Sequence, residues 1–423
     1  MFVQIHMLQS MPPGNLNRDE TGHPKKCLFG GVTRGRISSQ CLKRRIRLSP
    51  QFKEAFGDDL AAKTQDLPFM VADALRDGTL GVPEDELDEL MASIAARFRK
   101  PQRGADSEDT EEDADGQADA KEGPKAGGDI GKTGQLVFFP PPFARRIAEL
   151  IADFRRNNAP AYSHFLNRKT KAQKKEKEGW EAEIKQLVKT AAEASKLLTV
   201  DIGLFGRMTT SDLVVNVDAC CQVAHAIGTH ETLIESDYFT AMDDRADTAG
   251  AAFMGTGVTE TFFNANVYYK YLNVDVGSLR DDKHLPSLSV QDAARVAGVL
   301  VKAAALGNPT GKQNSFAAHG VPEYILVEVS EAKRPISYAN AFLQPVEGGI
   351  GRNLMNESAK AMNAYIDAVA AAFAPADTRR VLLAVGPAKA TLQSPHTPVA
   401  TLDELVNAVE ALIVGLGKAG ASA

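Results

Sequence analysis

The segment "GGVTRGRISSQCLKRRIR" (Gly30–Arg47) combines the pattern of a sheet-packing helix with a dense positive charge. Ser38 or Ser39 can cap the helix, and Leu42 and Ile46 recur at i and i+4 on one apolar stripe. We therefore predict an amphipathic helix that packs on a β-sheet and presents cations to a partner. The cations of the stretch are Arg34, Arg36, Lys43, Arg44, Arg45 and Arg47.

The charge of this region has one sign over a long window. Residues 21–53 contain nine Lys or Arg and no acid, although the chain has a formal net charge of -6. Residues 104–134 contain ten acids and three lysines, a net charge of -7, so the rest of the chain is -6 minus -7, or +1. We predict that 104–134 is a disordered acidic loop, because it lacks large apolar residues. A one-signed basic patch indicates a negatively charged partner.

Hydrophobic patterns elsewhere predict an α+β fold with a helical insertion. Strands are predicted at "FVQIHMLQ", "EYILVEVS" and "RRVLLAVGPA", with further β structure between residues 238 and 272. Helices are predicted over most of 51–100 and 143–198, at "QDAARVAGVLVKAAALG" and "TLDELVNAVEALIVGLG", and at "VNVDACCQVAHAIGTH", ending at Gly228.

The loop "GNPTGKQNSF" (307–316) has the composition of a phosphate loop but not its spacing. Only three residues separate Gly307 from Gly311, and Gln313 stands where Ser or Thr would bind the metal. The loop is therefore interpreted either as a plain turn or as a contact for a nucleic-acid backbone.

Metal-dependent and cofactor-dependent chemistry has little support in the sequence. His225 and His230 are five residues apart, so they do not share a helical face, and we interpret them as core or helix-end residues. The paired acids Asp19–Glu20 and Asp243–Asp244 are weak evidence of a metal site, which needs converging carboxylates. We predict no metal and no cofactor.

The absence of a membrane-length apolar run and of a signal-peptide pattern predicts a cytoplasmic protein without membrane contact.

Phe253 and Met254 lie in the small, polar stretch "DDRADTAGAAFMGTG" (243–257). At the tip of a hairpin, this exposed apolar pair would contact a partner such as stacked bases. The alternative is a turn that folds back onto the core.

Several strings, taken in order, resemble the CasC family, the backbone subunit of the type I-E Cascade CRISPR surveillance complex. They are "LNRDE", "FGG", "RISSQCLKRRIR", "DIGLFGRM", "VNVDACCQVAHAIGTH", "DYFTAMDD" and "PTGKQNSFAAH". The resemblance implies a hand-shaped protein with a modified RRM-like (ferredoxin-like) palm, a helical fingers insertion and a β-hairpin thumb. The implied boundaries are palm at 1–49, 200–235 and 274–423, fingers at 50–199, and thumb at 236–273.

The resemblance also implies a function without catalysis. Copies of the chain would polymerise along a CRISPR guide RNA, and their thumbs would kink it into segments for pairing with target DNA in antiviral defence. Partners would be further copies and subunits of the CasA, CasB, CasD and CasE families. The residues implied to bind RNA are Arg18, Ser38, Gln40, Lys43, Arg44, Arg47, Arg207, Met208, Lys312, Gln313 and Asn314, with Phe253 and Met254 as the thumb's base wedge.

Two other functions remain open from the sequence. One is a type III-like backbone ribonuclease that cuts target RNA with a loop aspartate, for which Asp19 is the nearest candidate. The other is a stand-alone protein that binds single-stranded RNA without forming ordered filaments.

Overall fold

The computed structural model describes most of the chain. It covers residues 1–57, 60–76, 79–98, 132–133, 135–140, 142–166, 174–196, 198–209, 211, 214–238, 241–242, 251–252, 260–386 and 392–421. The predicted acidic loop, apart from residues 132 and 133, and the predicted wedge residues Phe253 and Met254 lie outside these ranges.

Fourteen strands are present in the described part of the chain. They are β1 (Phe2–Gly14), β2 (Lys26–Phe29), β3 (Val32–Ile37), β4 (Ala62–Thr64), β5 (Val137–Phe139), β6 (Cys221–Val223), β7 (Ala226–Gly228), β8 (Glu235–Tyr238), β9 (Ala241–Met242), β10 (Ala251–Ala252), β11 (Glu260–Asp275), β12 (Pro322–Ser330), β13 (Arg379–Ala384) and β14 (Thr397–Val399).

The helices alternate with these strands and include a block between β4 and β6. They are α1 (Ser39–Arg47), α2 (Pro50–Phe56), α3 (Leu67–Arg76), α4 (Leu87–Phe98), α5 (Phe143–Asn157), α6 (Ala159–Leu166), α7 (Lys174–Ala194), α8 (Val200–Phe205), α9 (Val290–Leu306), α10 (Gln313–Phe316), α11 (Leu354–Phe373) and α12 (Leu402–Ala421). Short 3-10 turns lie at Glu84–Glu86, Ser278–Arg280 and Ala339–Phe342. The predicted α+β class is confirmed.

One ten-stranded sheet organises the palm. Its order is β14-β13-β12-β1-β11-β7-β3-β2, and β6 and β8 also pair with β11. The pairings are antiparallel except for β13 with β14, which is parallel. The three strands predicted from "FVQIHMLQ", "EYILVEVS" and "RRVLLAVGPA" are therefore β1, β12 and β13, side by side.

Both faces of this sheet are covered. Val3, Ile5 and Met7 of β1 pack in a core with α1, α2, α9 and α12, whereas Leu8 packs in a second core with α11. Both faces of β1 are buried, so its apolar residues do not alternate with exposed polar ones. The polar residues that occur along its first eight positions are buried as well.

The helical block has a core of its own. This core extends from Leu67 in α3 to Val214 and includes side chains of α4, α5, α6 and α7. The predicted fingers boundary at residue 50 falls before α2, whose Phe52 is buried in the palm core beside Phe205. The separate helical core thus begins about one helix later than that boundary.

The prediction of a helix that begins near residue 215 and ends at Gly228 is wrong. Cys221–Val223 and Ala226–Gly228 are strands that pair with β11. Within the first of them, Cys221 and Val223 are buried while Gln222 is exposed, which is the alternation of a strand. The nearby β11 supplies the backbone partners, and this tertiary pairing overrides the helical interpretation of a short apolar run.

The predicted thumb, 236–273, divides into two parts. Residues Glu235–Tyr238 pair with Glu260–Phe263 as a two-stranded ribbon. From Asn264 onward, β11 pairs with β1 inside the palm sheet.

In the part of the chain that the structure describes, no helix combines the length and apolarity needed to cross a membrane.

Candidate nucleic-acid interface

The basic segment folds as strand β3 followed by helix α1, as predicted. Ser38 is the N-cap, and its Oγ accepts a hydrogen bond from the backbone N–H of Cys41 at 3.4 Å. Leu42 and Ile46 are buried against the sheet. Because the Ser38 side chain is itself buried, its role in this structure is to start the helix.

The loop before β2 is attached to the first turn of α1. The Asn17 side-chain oxygen accepts a hydrogen bond from the Ser38 N–H at 2.7 Å, and the Asn17 carbonyl accepts one from the Lys25 N–H at 2.8 Å. This brings the half-buried Arg18 close to the N-terminus of α1, whose first turn contains the half-exposed Gln40. Sequence reasoning assigned no role to Asn17, although it lies in the quoted string "LNRDE".

The glycine-containing loop 307–316 lies against the same region. The Arg45 Nε donates to the Asn308 carbonyl at 2.8 Å, which attaches the loop to the C-terminal half of α1. A Cβ on Gly311 would lie only 2.4 Å from the carbonyl oxygen of Leu16, so only glycine allows this close packing. The structure thus brings together three separate predictions: Arg18, α1 and this loop.

Within that loop, the predicted residues differ in what they expose. Lys312, in a left-handed conformation at φ 49°, and Asn314 are exposed. Gln313 instead donates to the carbonyls of Pro309 and Ala318, at 3.0 and 3.1 Å, and so holds the loop in shape. Lys312 and Asn314 are therefore available to a ligand, whereas the Gln313 amide is used internally.

Three cations of the basic segment point away from the core. Arg44 is exposed, and Lys43 and Arg36 are half-exposed. The Arg36 guanidinium lies 3.2 Å from Nδ1 of His225. Partial burial, together with Arg36, Lys25 and Lys43, lowers the pKa of His225, so this exposed histidine is neutral at physiological pH. His225 therefore lies beside the basic surface, between β6 and β7, so it is neither a core residue nor a helix-end residue as predicted.

Two arginines that were predicted to bind RNA are directed inward. Arg207 is 2% exposed and donates to the carbonyls of Val215, Ser195 and Phe138. Burial lowers the pKa of Arg207 to about 10. Because the guanidinium nitrogens of Arg207 donate to these backbone carbonyls, the geometry does not support a contact between this guanidinium and RNA.

Arg47 is only slightly less enclosed. Its Nη1 donates to the Ala61 carbonyl at 3.0 Å and lies 3.6 Å from a carboxylate oxygen of Asp201. Its guanidinium also stacks 4.9 Å from the Phe138 ring centroid, and burial lowers its pKa despite Asp201. Arg47 thus connects α1 to the base of the helical block and offers little of its charge to a ligand.

Met208 lies at the other end of α1 and is 78% exposed. Its neighbour Arg207 donates to the Phe138 carbonyl, and Arg47, the last residue of α1, contacts the Phe138 ring. Met208 therefore lies near the C-terminal end of α1 in space. A large exposed apolar side chain with this position is available to a flat apolar partner.

Asp19 is occupied by its own loop. Its Oδ1 accepts hydrogen bonds from the N–H and Oγ of Thr21 and from the N–H of His23, at 2.7 to 3.0 Å. Burial acts to raise the pKa of Asp19, but these hydrogen bonds prevail and the pKa lies below its usual value.

Among the described residues, no group of three or more His, Cys, Asp or Glu side chains is placed to hold a metal ion.

The ribbon of β8 and the first residues of β11 is fixed to this interface by aromatic pairs. His23 stacks on Phe262 with ring centroids 3.9 Å apart, and Phe316 lies 5.6 Å from Phe263. The two loops that flank α1 therefore also contact the base of the ribbon.

Comparison with solved structures places this architecture among known folds. The chain is similar to a chain of a structure described as "CRISPR RNA-guided surveillance complex, pre-nicking", at 25% identity and a TM-score of 0.72, covering 98% of this chain and 100% of that one. A chain of a "CRISPR RNA-guided surveillance complex" has the same fold at 22% identity and a TM-score of 0.65, covering 97% and 99%.

Sequence comparison leads to a family. None of the curated proteins compared with this chain matches it. The family model described as "CT1975-like protein" matches residues 3–408. Since this match extends over nearly the whole sequence, the chain belongs to the CT1975-like protein family.

Proposed function

We propose that this protein is the guide-RNA-binding backbone subunit of a CRISPR surveillance complex of type I-E. The observation that carries the proposal is the likeness, over 98% of this chain and 100% of the other, to a subunit chain of an RNA-guided surveillance complex. Such full coverage on both sides indicates the same kind of subunit rather than a shared module.

The surface around α1 supports RNA as the ligand. Its available cations are Arg18, Lys43, Arg44 and Lys312, with Gln40 and Asn314 as nearby polar groups. These groups bind phosphate and sugar without reading bases, which suits a protein that must hold guides of any sequence. Sequence specificity is then left to pairing between guide and target DNA.

The exposed Met208 and the projecting ribbon support a segmented guide. An apolar side chain can part neighbouring bases, and a ribbon that leaves the sheet beside the RNA surface can divide the strand into short segments. Short segments open for pairing avoid winding one continuous duplex. The remaining partners in this proposal are further copies of the chain and subunits of the CasA, CasB, CasD and CasE families.

The proposed role has no catalytic step. Asp19, the nearest candidate for a ribonuclease, accepts three hydrogen bonds from its own loop at Oδ1, so this oxygen serves to hold the loop in shape. We expect assembled complex, incubated with labelled complementary RNA and Mg²⁺, to leave the RNA intact. Cuts at regular intervals that disappear in Asp19→Ala would overturn this part of the proposal.

The RNA-binding surface is tested by the salt dependence of affinity. We expect Lys43→Ala and Arg44→Ala each to weaken guide RNA binding evenly across sequences. Each should reduce the slope of log affinity against log salt by roughly 0.7, the value for one phosphate contact of a single strand. Fluorescence anisotropy over a range of salt concentrations measures both quantities.

The matched control is Lys360→Ala, which removes an exposed lysine from α11 on the opposite face of the sheet. It changes the net charge equally but should leave the slope unchanged. Equal slopes in all three variants would remove α1 from the interface. A purified protein that carries no guide RNA after co-expression with its repeat array and neighbouring genes would contradict the function itself.

A further inference from the structure

The contact between Arg36 and His225 differs from the other arginine contacts near α1. Nη1 of Arg36 lies 3.2 Å from Nδ1 of His225, which is exposed between β6 and β7. Arg34, Arg45 and Arg47 instead donate to backbone carbonyls. Within the described part of the chain, Nε of Arg36 has no hydrogen-bond partner. The guanidinium of Arg36 is therefore held by a neutral imidazole, and an anionic acceptor would bind it more strongly.

This contact also fixes where the neutral imidazole carries its proton. A guanidinium only donates hydrogen bonds, so Nδ1 of His225 must accept, and the proton of the neutral ring is on Nε2. The present arrangement therefore favours the neutral form of His225. When Arg36 turns to another acceptor, Nδ1 becomes available to bind a proton.

Three cations from three elements surround this imidazole. Arg36 is in β3, Lys43 is in α1, and Lys25 directly precedes β2. Partial burial and these three charges together hold the pKa of His225 below its ordinary value. A bound anion would offset the repulsion between these cations and an imidazolium, so it would favour protonation of His225.

The chain around this cluster lacks negative charge and continues into the surface described above. No acid occurs in residues 21–53 or 219–230, the two stretches that supply all four side chains. The N–H of Lys25 donates to the carbonyl of Asn17, the residue before Arg18, at 2.8 Å. The cluster is therefore suited to an anion and lies next to the surface around α1 that we propose to bind RNA.

We propose that Arg36, Lys25 and His225 form a further phosphate subsite for the guide RNA, at which His225 takes up a proton when the phosphate binds. This inference rests on the proposed function and adds a subsite to it. The phosphate accepts hydrogen bonds from the Arg36 guanidinium, which leaves Nδ1 of His225, and the imidazole then binds a proton from the buffer. The imidazolium donates from both ring nitrogens, and the phosphate balances its charge.

The pH dependence of RNA affinity tests the proton uptake. Affinity for a short oligouridine, whose bases do not titrate in this range, should rise about tenfold from about pH 7.5 to about pH 5.5. The sign follows from linkage, because one proton taken up on binding raises the affinity by up to about tenfold for each pH unit lost. Fluorescence anisotropy at constant ionic strength measures this. His225→Gln should lose most of the rise and bind like the wild type at about pH 7.5, where the imidazole is neutral.

The matched control is His396→Gln, because His396 is half-exposed just before β14, at the opposite end of the sheet. It should keep the full rise in affinity. Calorimetry in two buffers of different ionisation enthalpy counts the protons directly. At about pH 6.5, the usual imidazole pKa, the wild type should take up about half a proton or more per chain, and His225→Gln clearly less.

A second variant tests the phosphate contact without altering the histidine. Arg36→Gln should reduce the slope of log affinity against log salt by roughly 0.7, the value for one phosphate contact of a single strand. It should also raise the pKa of His225 in the free chain, because a neighbouring cation is lost. NMR of the imidazole ring measures that pKa, and a merely structural arginine would leave the salt slope unchanged.

The outcomes separate this inference from the proposed function. Equal pH profiles for the wild type and His225→Gln, or an unchanged salt slope in Arg36→Gln, would overturn the subsite. If the slope fell in Lys43→Ala and Arg44→Ala alone, the proposed function would stand without it. Proton uptake with oligothymidine but not with oligouridine would assign the phosphate to a DNA strand instead. Failure of the wild type to bind oligouridine at any pH would overturn the proposed function itself.

Discussion

The cations of segment 34–47 divide equally between two environments. Arg34, Arg45 and Arg47 donate to backbone carbonyls of other elements. Arg36, Lys43 and Arg44 lie toward solvent. The first group connects the sheet, the loop 307–316 and the helical block, while the second forms the surface available to RNA. A dense basic run is therefore both a structural device and a binding site.

The division follows from acceptors that are distant in sequence. Arg34 is enclosed because the carbonyls of Gly228 in β7 and of Phe342 in a 3-10 turn lie 3.1 and 2.8 Å from its guanidinium. Arginine suits such positions since its planar fork can donate to several carbonyls at once. Lysine suits the outer face, where a flexible point charge can follow a phosphate backbone.

The largest effect should come from removing an internal guanidinium. We expect Arg34→Met to lower the free energy of unfolding by about 3 kcal/mol or more, because the carbonyls of Phe29, Gly228 and Phe342 lose their donors. Arg34→Lys should recover only part of this loss, since an ammonium group cannot reach all three carbonyls in the fork geometry. Urea denaturation followed by circular dichroism measures both.

The matched outward substitution sharpens the contrast. Arg44→Met should change the unfolding free energy by no more than about 0.5 kcal/mol, as is usual for exposed positions. It should nevertheless weaken RNA binding, which Arg34→Met should not do in the fraction that remains folded. If Arg34→Met were as stable as the wild type, the internal role of this guanidinium would be refuted.

The same contrast explains which features could be predicted from the sequence. The cap at Ser38 and the buried pair Leu42 and Ile46 follow from local pattern, and the structure confirms them. The strands at residues 2–9 and 323–330 are short segments rich in apolar residues, Val and Ile among them, so they too could be predicted from local sequence.

Features that depend on tertiary partners were not readable. Residues 221–223 and 226–228 form strands because β11 and, for the second of them, β3 offer their backbones, and Asn17 matters because Ser38 lies beside it. Arg207 carries the charge of an RNA ligand, but the carbonyls that enclose it come from three separate segments. Charge and periodicity cannot reveal such acceptors.

Lys270 is a third kind of cation, enclosed like Arg34 but with much poorer hydrogen bonding. It is 1% exposed on β11, and its Nζ donates to the Ala304 carbonyl at 3.4 Å near the C-terminal end of α9. Burial lowers the pKa of Lys270 to about 8. Below that pH the fold therefore contains a buried ammonium that water would solvate better.

The sign of the resulting pH dependence follows from proton binding. Between pH 8 and pH 10.5, the unfolded chain still binds a proton at Lys270, while the folded chain has released it. The free energy of unfolding that depends on this lysine should therefore rise with pH across that window. The cost of burying the charge is fully present below pH 8.

Replacing this lysine by a side chain of similar volume should remove that cost. We expect Lys270→Met to raise the unfolding free energy at pH 7 by about 2–3 kcal/mol, after allowance for the lost hydrogen bond. The advantage over the wild type should shrink as pH rises from 8 to 10.5. Denaturant titrations at several pH values measure the difference, and Lys360→Met, at an exposed site, is the control. A Lys270→Met variant less stable than the wild type at pH 7 would mean that the Ala304 hydrogen bond outweighs the burial of charge, and lysine would then join arginine as a structural cation of this fold.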